Sequence, residues 1–116
     1  MNVQVIEWNY PKEVFGVYKY HKRSKYILIN SNLPSKTKKF VCGHELGHST
    51  SHPRLNTMFL KSKTLYSKDK LEREANEFSL SLLLHGCVFS EYKDIEHLCF
   101  DHGIPHELSY LIKKFY

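Results

Sequence analysis

Residues 44–48 read His-Glu-Leu-Gly-His, a spacing that has chemical meaning only on a helix. Residues four apart on an α-helix lie about 40° apart around the axis and about 6 Å apart along it. Two imidazoles so placed aim nitrogens at one divalent ion at about 2.1 Å, the Zn²⁺ distance. Glu45, one step round, overhangs the open side of that ion, where a carboxylate can deprotonate water. A shuffled chain with the same His and Glu counts shows the pattern roughly 4 times in 100, so context has to add weight. Phe40, Val41, His44 and His48 fit a helix opening near Ser35 or Thr37. It must stop by about His52, because the residue before Pro53 is pushed out of helical geometry. The bland alternative is a pair of hydrogen-bonded core histidines beside a surface glutamate. It leaves Gly47 unexplained, since glycine inside a helix costs about 1 kcal/mol relative to alanine. Glycine there is expected where backbone or substrate comes close.

A catalytic zinc site takes three protein ligands and keeps a position for water. His52 shares the face of His44 and His48 but sits about 12 Å along the axis from His44, too far to share its ion. The HExxHxxGxxH class is excluded, because Ser51 and Arg54 stand where its glycine and third histidine would be. The next helix is the better source. Asp69 followed by Glu72 has capping-box character, and Leu71, Ala75, Phe78 and Leu82 give the helix an apolar stripe. Glu74 lies about 70° from the centre of that stripe, Glu72 about 90° and Glu77 about 130°. A ligand must face inward, so Glu77 is disfavoured; Glu74 over Glu72 is a slight geometric preference.

Around these two helices the chain reads as one domain over residues 1–116, strands first and helices after, an α+β class. Val3–Ile6 alternates weakly. Phe15–Tyr20 and Tyr26–Asn30 are rich in aromatic and β-branched residues, a hairpin with His21–Lys25 as a longer loop. Residues 53–68 read as a Lys-rich loop. Gly86 closes the glutamate helix, 90–102 reads as a third helix capped by Gly103, and Pro105 starts a fourth.

Composition narrows the setting. The 116 residues are 41% hydrophobic and 25% charged, ordinary globular usage that argues against a disordered chain or a coiled coil. No apolar run approaches the roughly 18 residues of a membrane span, and MNVQVIEWNY has no secretory pattern; a cytoplasmic location is expected. Cys42, Cys87 and Cys99, odd in number and widely spaced, are expected to be free, mostly buried thiols. The net charge of +5 suits an acidic partner or a plain solvated face equally.

Three segments in order, YILINSNL from Tyr26, FVCGHELGHSTSHP from Phe40 and EREANEFSLSLLL from Glu72, resemble the ImmA/IrrE-type metallopeptidases over about half the chain. The resemblance implies a small zincin-like, gluzincin-type domain, with His44 and His48 as Zn²⁺ ligands, Glu45 as general base and Glu74, the glutamate before Ala75-Asn76, as third ligand. It also implies a cytoplasmic protease of a phage or other mobile element, or of a stress response, acting on a helix-turn-helix repressor. A further oxyanion donor is expected, with Tyr66, Tyr92, His97 and Tyr110 as candidates. The Tyr26–Asn30 strand could take substrate as an added strand. The rival is a non-catalytic DNA- or protein-binding module with structural zinc or none. Residues 95–115 could supply its helix-turn-helix, with Lys113 and Lys114 suited to phosphate, but packing against the core is the favoured reading of that pair, and direct nucleic-acid binding is not expected.

Overall fold

The computed structural model of the chain describes residues 3–65 and 69–113. The strand-rich half forms β1 (Val3–Trp8), β2 (Val14–His21) and β3 (Ser24–Asn30), followed by the long helix α1 (Ser35–Ser51). Then come β4 (Thr57–Leu60), the short α2 (Lys61–Leu65), α3 (Lys70–Leu83), α4 (Ile95–His102) and α5 (Ser109–Ile112). The strands make one mixed sheet in the order β1-β3-β2-β4, in which β1 runs parallel to β3 and the other pairs are antiparallel. The architecture is α+β, as expected. Among the described residues, no helix is long and apolar enough to cross a membrane.

Several elements differ from the sequence expectations. The β2–β3 connection is a tight two-residue turn rather than a longer loop, with Lys22 at φ 48° and Arg23 at φ 65°. Two left-handed residues are what a type I′ hairpin demands, yet neither is the usual Asn or Gly, so no turn signal marks the site. The stretch taken as loop contains β4, whose Phe59 is buried in the core. Four residues of strand are too few for alternation to show. The proposed third helix is divided into a 3₁₀ turn at Phe89–Glu91 and α4. Of the free cysteines only Cys99 is fully buried. β3 is enclosed by β1 and β2, so it has no free edge for a substrate strand.

Helix α1 lies across β2 and β3 and is clasped by α3. Its C-terminal end is held by the sheet: Lys25 Nζ donates to the Ser49 carbonyl at 2.6 Å, and Tyr18 Oη to the Pro53 carbonyl at 2.6 Å. Both bonds satisfy carbonyls at or just past the helix end. At the α1–α3 crossing, a Cβ on Gly47 would stand 3.0 Å from Ala75 Cα and one on Gly43 would fall on the Ser79 hydroxyl. The close approach that Gly47 suggested is therefore made by α3's backbone. Gly43→Ala should be destabilising: the gain of about 1 kcal/mol in helix propensity is outweighed by overpacking of about 1–3 kcal/mol, plus disturbance of the Ser79 bond to the Phe40 carbonyl at 2.7 Å. A lower urea midpoint than wild type checks this; an unchanged or higher one contradicts it.

Candidate metal centre

Helix α1 buries His44, Glu45 and His48 completely. These three side chains can offer ligand atoms that all lie within 4.8 Å of one another. The imidazoles stand nearly perpendicular, with ring centroids 4.9 Å apart. Phe59 of β4 packs 4.3 Å from the His44 ring, and Tyr18 of β2 stacks on His48.

From α3 comes Glu72, not Glu74. Glu72 Oε1 lies 2.6 Å from His48 Nε2 and 3.4 Å from His44 Nε2. Glu74 reaches His52 Nε2 at 3.4 Å and its side chain is 43% exposed, against 17% for Glu72. The correction follows from which face of α3 is buried. Leu71 and Leu82, read as the centre of the inward stripe, are 36% and 51% exposed. The buried residues of α3 are Ala75, Asn76, Ser79 and Leu80, a face whose centre lies about 10° from Glu72 and about 170° from Glu74. Small and polar residues allow the close helix crossing, so a search for apolar periodicity looks at the wrong side. Asp69 does cap the helix, accepting from the Leu71 amide at 2.8 Å.

The proton positions follow from the partners. His44 Nδ1 lies 2.7 Å from Asn76 Oδ1; an amide oxygen only accepts, so Nδ1 carries the hydrogen and Nε2 keeps its lone pair. That Nε2 is buried with no hydrogen-bond partner, as are both carboxylate oxygens of Glu45. A lone pair and a carboxylate thus lie buried side by side with no donor to satisfy them, a demand that a divalent cation meets. The 3.4 Å between His44 Nε2 and Glu72 Oε1 matches the edge, about 3.3–3.4 Å, of a tetrahedron with Zn²⁺ bond lengths, whereas the 2.6 Å between His48 Nε2 and Glu72 Oε1 is a hydrogen bond that an ion would replace. The residues present fit the ion.

Electrostatics divides the two glutamates. Burial, and then the neighbouring Glu72 charge, pushes the Glu45 carboxyl well above its ordinary 4.5. Glu72 also feels a burial penalty, but the His44 and His48 imidazoles beside it outweigh that penalty and bring its carboxyl down to about 2. Burial drives His44 toward its neutral form. A raised carboxyl keeps its proton in the fold after the unfolded chain has lost it, so stability of the metal-free protein falls as pH rises above about 4.5. The depressed Glu72 acts oppositely, with stability lost as pH drops from about 4.5 toward 2. In the presence of chelator, the melting temperatures of wild type and Glu45→Gln should lie closest near pH 4 and separate as pH rises, with the variant higher. Parallel curves would contradict the assignment.

Glycine shapes the floor. A Cβ on Gly16 of β2 would stand 3.2 Å from Glu45 Oε2 and 2.8 Å from Val41 Cγ1, so a side chain there would crowd the carboxylate.

The expected oxyanion donors fare unevenly. Tyr92 donates to Asp101 Oδ2 at 2.7 Å and faces His102 Nε2 at 3.1 Å, with His97 packed on its ring. Tyr110 is half exposed, and Tyr66 lies outside the described residues. Sequence reasoning passed over Tyr10, whose phenol is raised by burial and by the Glu45 carboxylate. It sits in an irregular stretch held by Asn32, where no periodicity points to it. The suggested helix-turn-helix resolves into α4 and a four-residue α5 whose Leu111 and Ile112 are buried in the core, while Lys114 lies outside the described residues.

The chain is 51% identical over 115 residues to "Uncharacterized immunity region protein 2" of Bacillus phage phi105, covering 96% of this chain and 73% of that protein. It is 36% identical over 76 residues to "Metallopeptidase ImmA" of Bacillus subtilis (strain 168), covering 66% of this chain and 45% of that protein. Residues 1–109 match the Peptidase_M78 family, the IrrE N-terminal-like domain. With its buried histidine pair and glutamates at the heart of that match, the chain belongs to the Peptidase_M78 family of ImmA/IrrE-like metallopeptidases.

Proposed function

We propose that this chain is a cytoplasmic zinc-dependent endopeptidase that cleaves a regulatory protein, a helix-turn-helix repressor of a phage or mobile element. His44, His48 and Glu72 are the metal ligands in this reading and Glu45 is the general base. The observation that carries it is the buried, donor-free convergence of His44 Nε2 and the Glu45 carboxylate beside Glu72. Two nitrogens and one carboxylate oxygen suit zinc. When bound, the ion supplies a Lewis acid that acidifies water and polarises a carbonyl.

The chain's own groups do the rest. Glu45 accepts a proton from the attacking water and delivers it to the leaving amide nitrogen. Phe59, Tyr18 and the α3 backbone keep bulk water from the imidazoles. With β3 enclosed, an extended peptide has β4 as the sheet edge beside the site. There the Leu60 amide already donates to Thr64 Oγ1 at 2.9 Å, so the strand is open only before that point. A phage immunity-region relative and a metallopeptidase relative support a regulatory substrate.

The direct test is incubation of the zinc-loaded protein with the repressor encoded beside it, read by mass spectrometry, with chelator and Glu45→Gln as controls. Chelator-sensitive cleavage at one bond is expected. An intact repressor with a fully zinc-loaded protein, under conditions that induce the element, would overturn the reading.

A further inference from the structure

Neither His52 nor Glu74 has a part in the chemistry above, yet the two extend in line from His48. We propose that Glu74 and His52 form a hydrogen-bonded chain that fixes the orientation of His48 and accepts its Nδ1 hydrogen when the ion is bound, making His52 a positioning residue for the metal centre. This inference rests on the reading that His44, His48 and Glu72 hold the ion.

The geometry runs in three links. His52 caps α1, and its backbone N–H donates to the His48 carbonyl at 2.7 Å. Its ring is 7% exposed and its Nδ1 lies 3.0 Å from His48 Nδ1. Its Nε2 faces Glu74 Oε1 at 3.4 Å. Two imidazole nitrogens at that separation share one hydrogen, so one ring must donate and the other accept. Glu74 fixes the direction. A carboxylate only accepts, so it selects the His52 tautomer with hydrogen on Nε2 and a bare Nδ1. That Nδ1 then accepts from His48 Nδ1–H once an ion takes the place of the hydrogen that His48 Nε2 gives Glu72 Oε1 at 2.6 Å in the metal-free protein, which leaves the Nε2 lone pair to the ion. The opposite direction, with His52 donating to His48 Nδ1 and the His48 hydrogen on Nε2 toward Glu72, is the metal-free one, and it withholds the ligand atom until the hydrogens shift.

The arrangement parallels the other imidazole, where Asn76 Oδ1 fixes His44 in the same tautomer. With the ion bound, each ring thus has an acceptor on the nitrogen turned away from the centre. His52 sits too far along α1 to be a ligand itself, and the last turn of α1 aims it at the far side of His48 instead.

The test is zinc affinity of the full chain by chelator competition, with the metal alone as probe. His52→Ala should weaken binding about 10–100-fold, the usual effect of losing such an outer hydrogen bond. His52→Asn, whose Oδ1 can stand near the Nδ1 position, should recover most of that loss. Glu74→Ala should weaken binding less than about tenfold, and the double variant should bind no more weakly than His52→Ala alone, because Glu74 acts only through His52. Nitrogen NMR of the zinc-loaded protein should show the His52 Nε2–H resonance of wild type shifted in Glu74→Ala, with the His48 hydrogen on Nδ1 in both. A folded His52→Ala protein with wild-type affinity, losses that simply add, or an Asn variant no better than Ala would each overturn the proposal. If His52→Ala does not fold, the Glu74→Ala spectrum decides: a His52 signal unchanged from wild type refutes the chain. Failure of the wild type to bind zinc sinks the metal reading itself, whereas equal binding by wild type and His52→Ala sinks only this inference.

Discussion

Glu45→Gln should retain zinc and lose cleavage by at least about a hundredfold, the low end of what a positioned general base contributes. The substitution keeps volume and shape in a pocket where the carboxylate touches Gly16 of β2 and has no hydrogen-bond partner. Metal binding should survive because the proposed ligand atoms belong to His44, His48 and Glu72. The metal-free variant should also be more stable than wild type at neutral pH, since a fully buried carboxylate whose ionisation is opposed by burial and by Glu72 is replaced by a neutral amide. Loss of activity with a gain in stability is the signature of a group placed for chemistry at the expense of the fold. A non-catalytic module in which Glu45 is incidental predicts the same stability gain and no change in biological output. Elemental analysis, thermal melts and the repressor digest together separate the two, and wild-type cleavage by Glu45→Gln would refute the general-base assignment.

What the sequence disclosed depended on how local each determinant is. Helix α1 was legible almost to the residue, because its start follows Pro34, its end precedes Pro53, and the His-Glu-Leu-Gly-His spacing has meaning only on a helix. The Asp69 cap was legible for the same reason: side chain and amide are two residues apart. The β2–β3 turn was not, because Lys22 and Arg23 adopt left-handed angles imposed by strand pairing on either side rather than by their own preference. β4 was hidden because its four residues owe their extended form to pairing with β2, some forty residues earlier in the chain. The parallel pairing of β1 with β3 likewise has no local sign. The inward face of α3 was misjudged because the tight crossing of α1 and α3 is lined by Gly43, Gly47, Ala75 and Ser79, whereas hydropathy finds the faces that carry large side chains.

That misjudged face leads to the sharpest discrimination between neighbouring residues. Glu72→Ala should weaken zinc binding by more than the roughly 100-fold ceiling for outer-shell losses; Glu74→Ala should stay well inside it. The two positions lie about 160° apart around α3, so no rigid rotation of the helix brings both to the imidazole pair. Only Glu72 has an oxygen within 3.4 Å of both Nε2 atoms. Its carboxyl, held down to about 2 by the histidines despite its burial, is ionised at any working pH and needs no deprotonation before binding a cation. Glu72→Gln sharpens the comparison. The amide keeps the side chain's length and an oxygen but removes the charge, so if charge is what the ion requires, Gln should fall close to Ala. If a neutral oxygen is sufficient, Gln should fall close to wild type. Should Glu74→Ala lose zinc while Glu72→Ala keeps it, the face of α3 turned toward α1 in solution is the opposite one, and the ligand assignment fails with it.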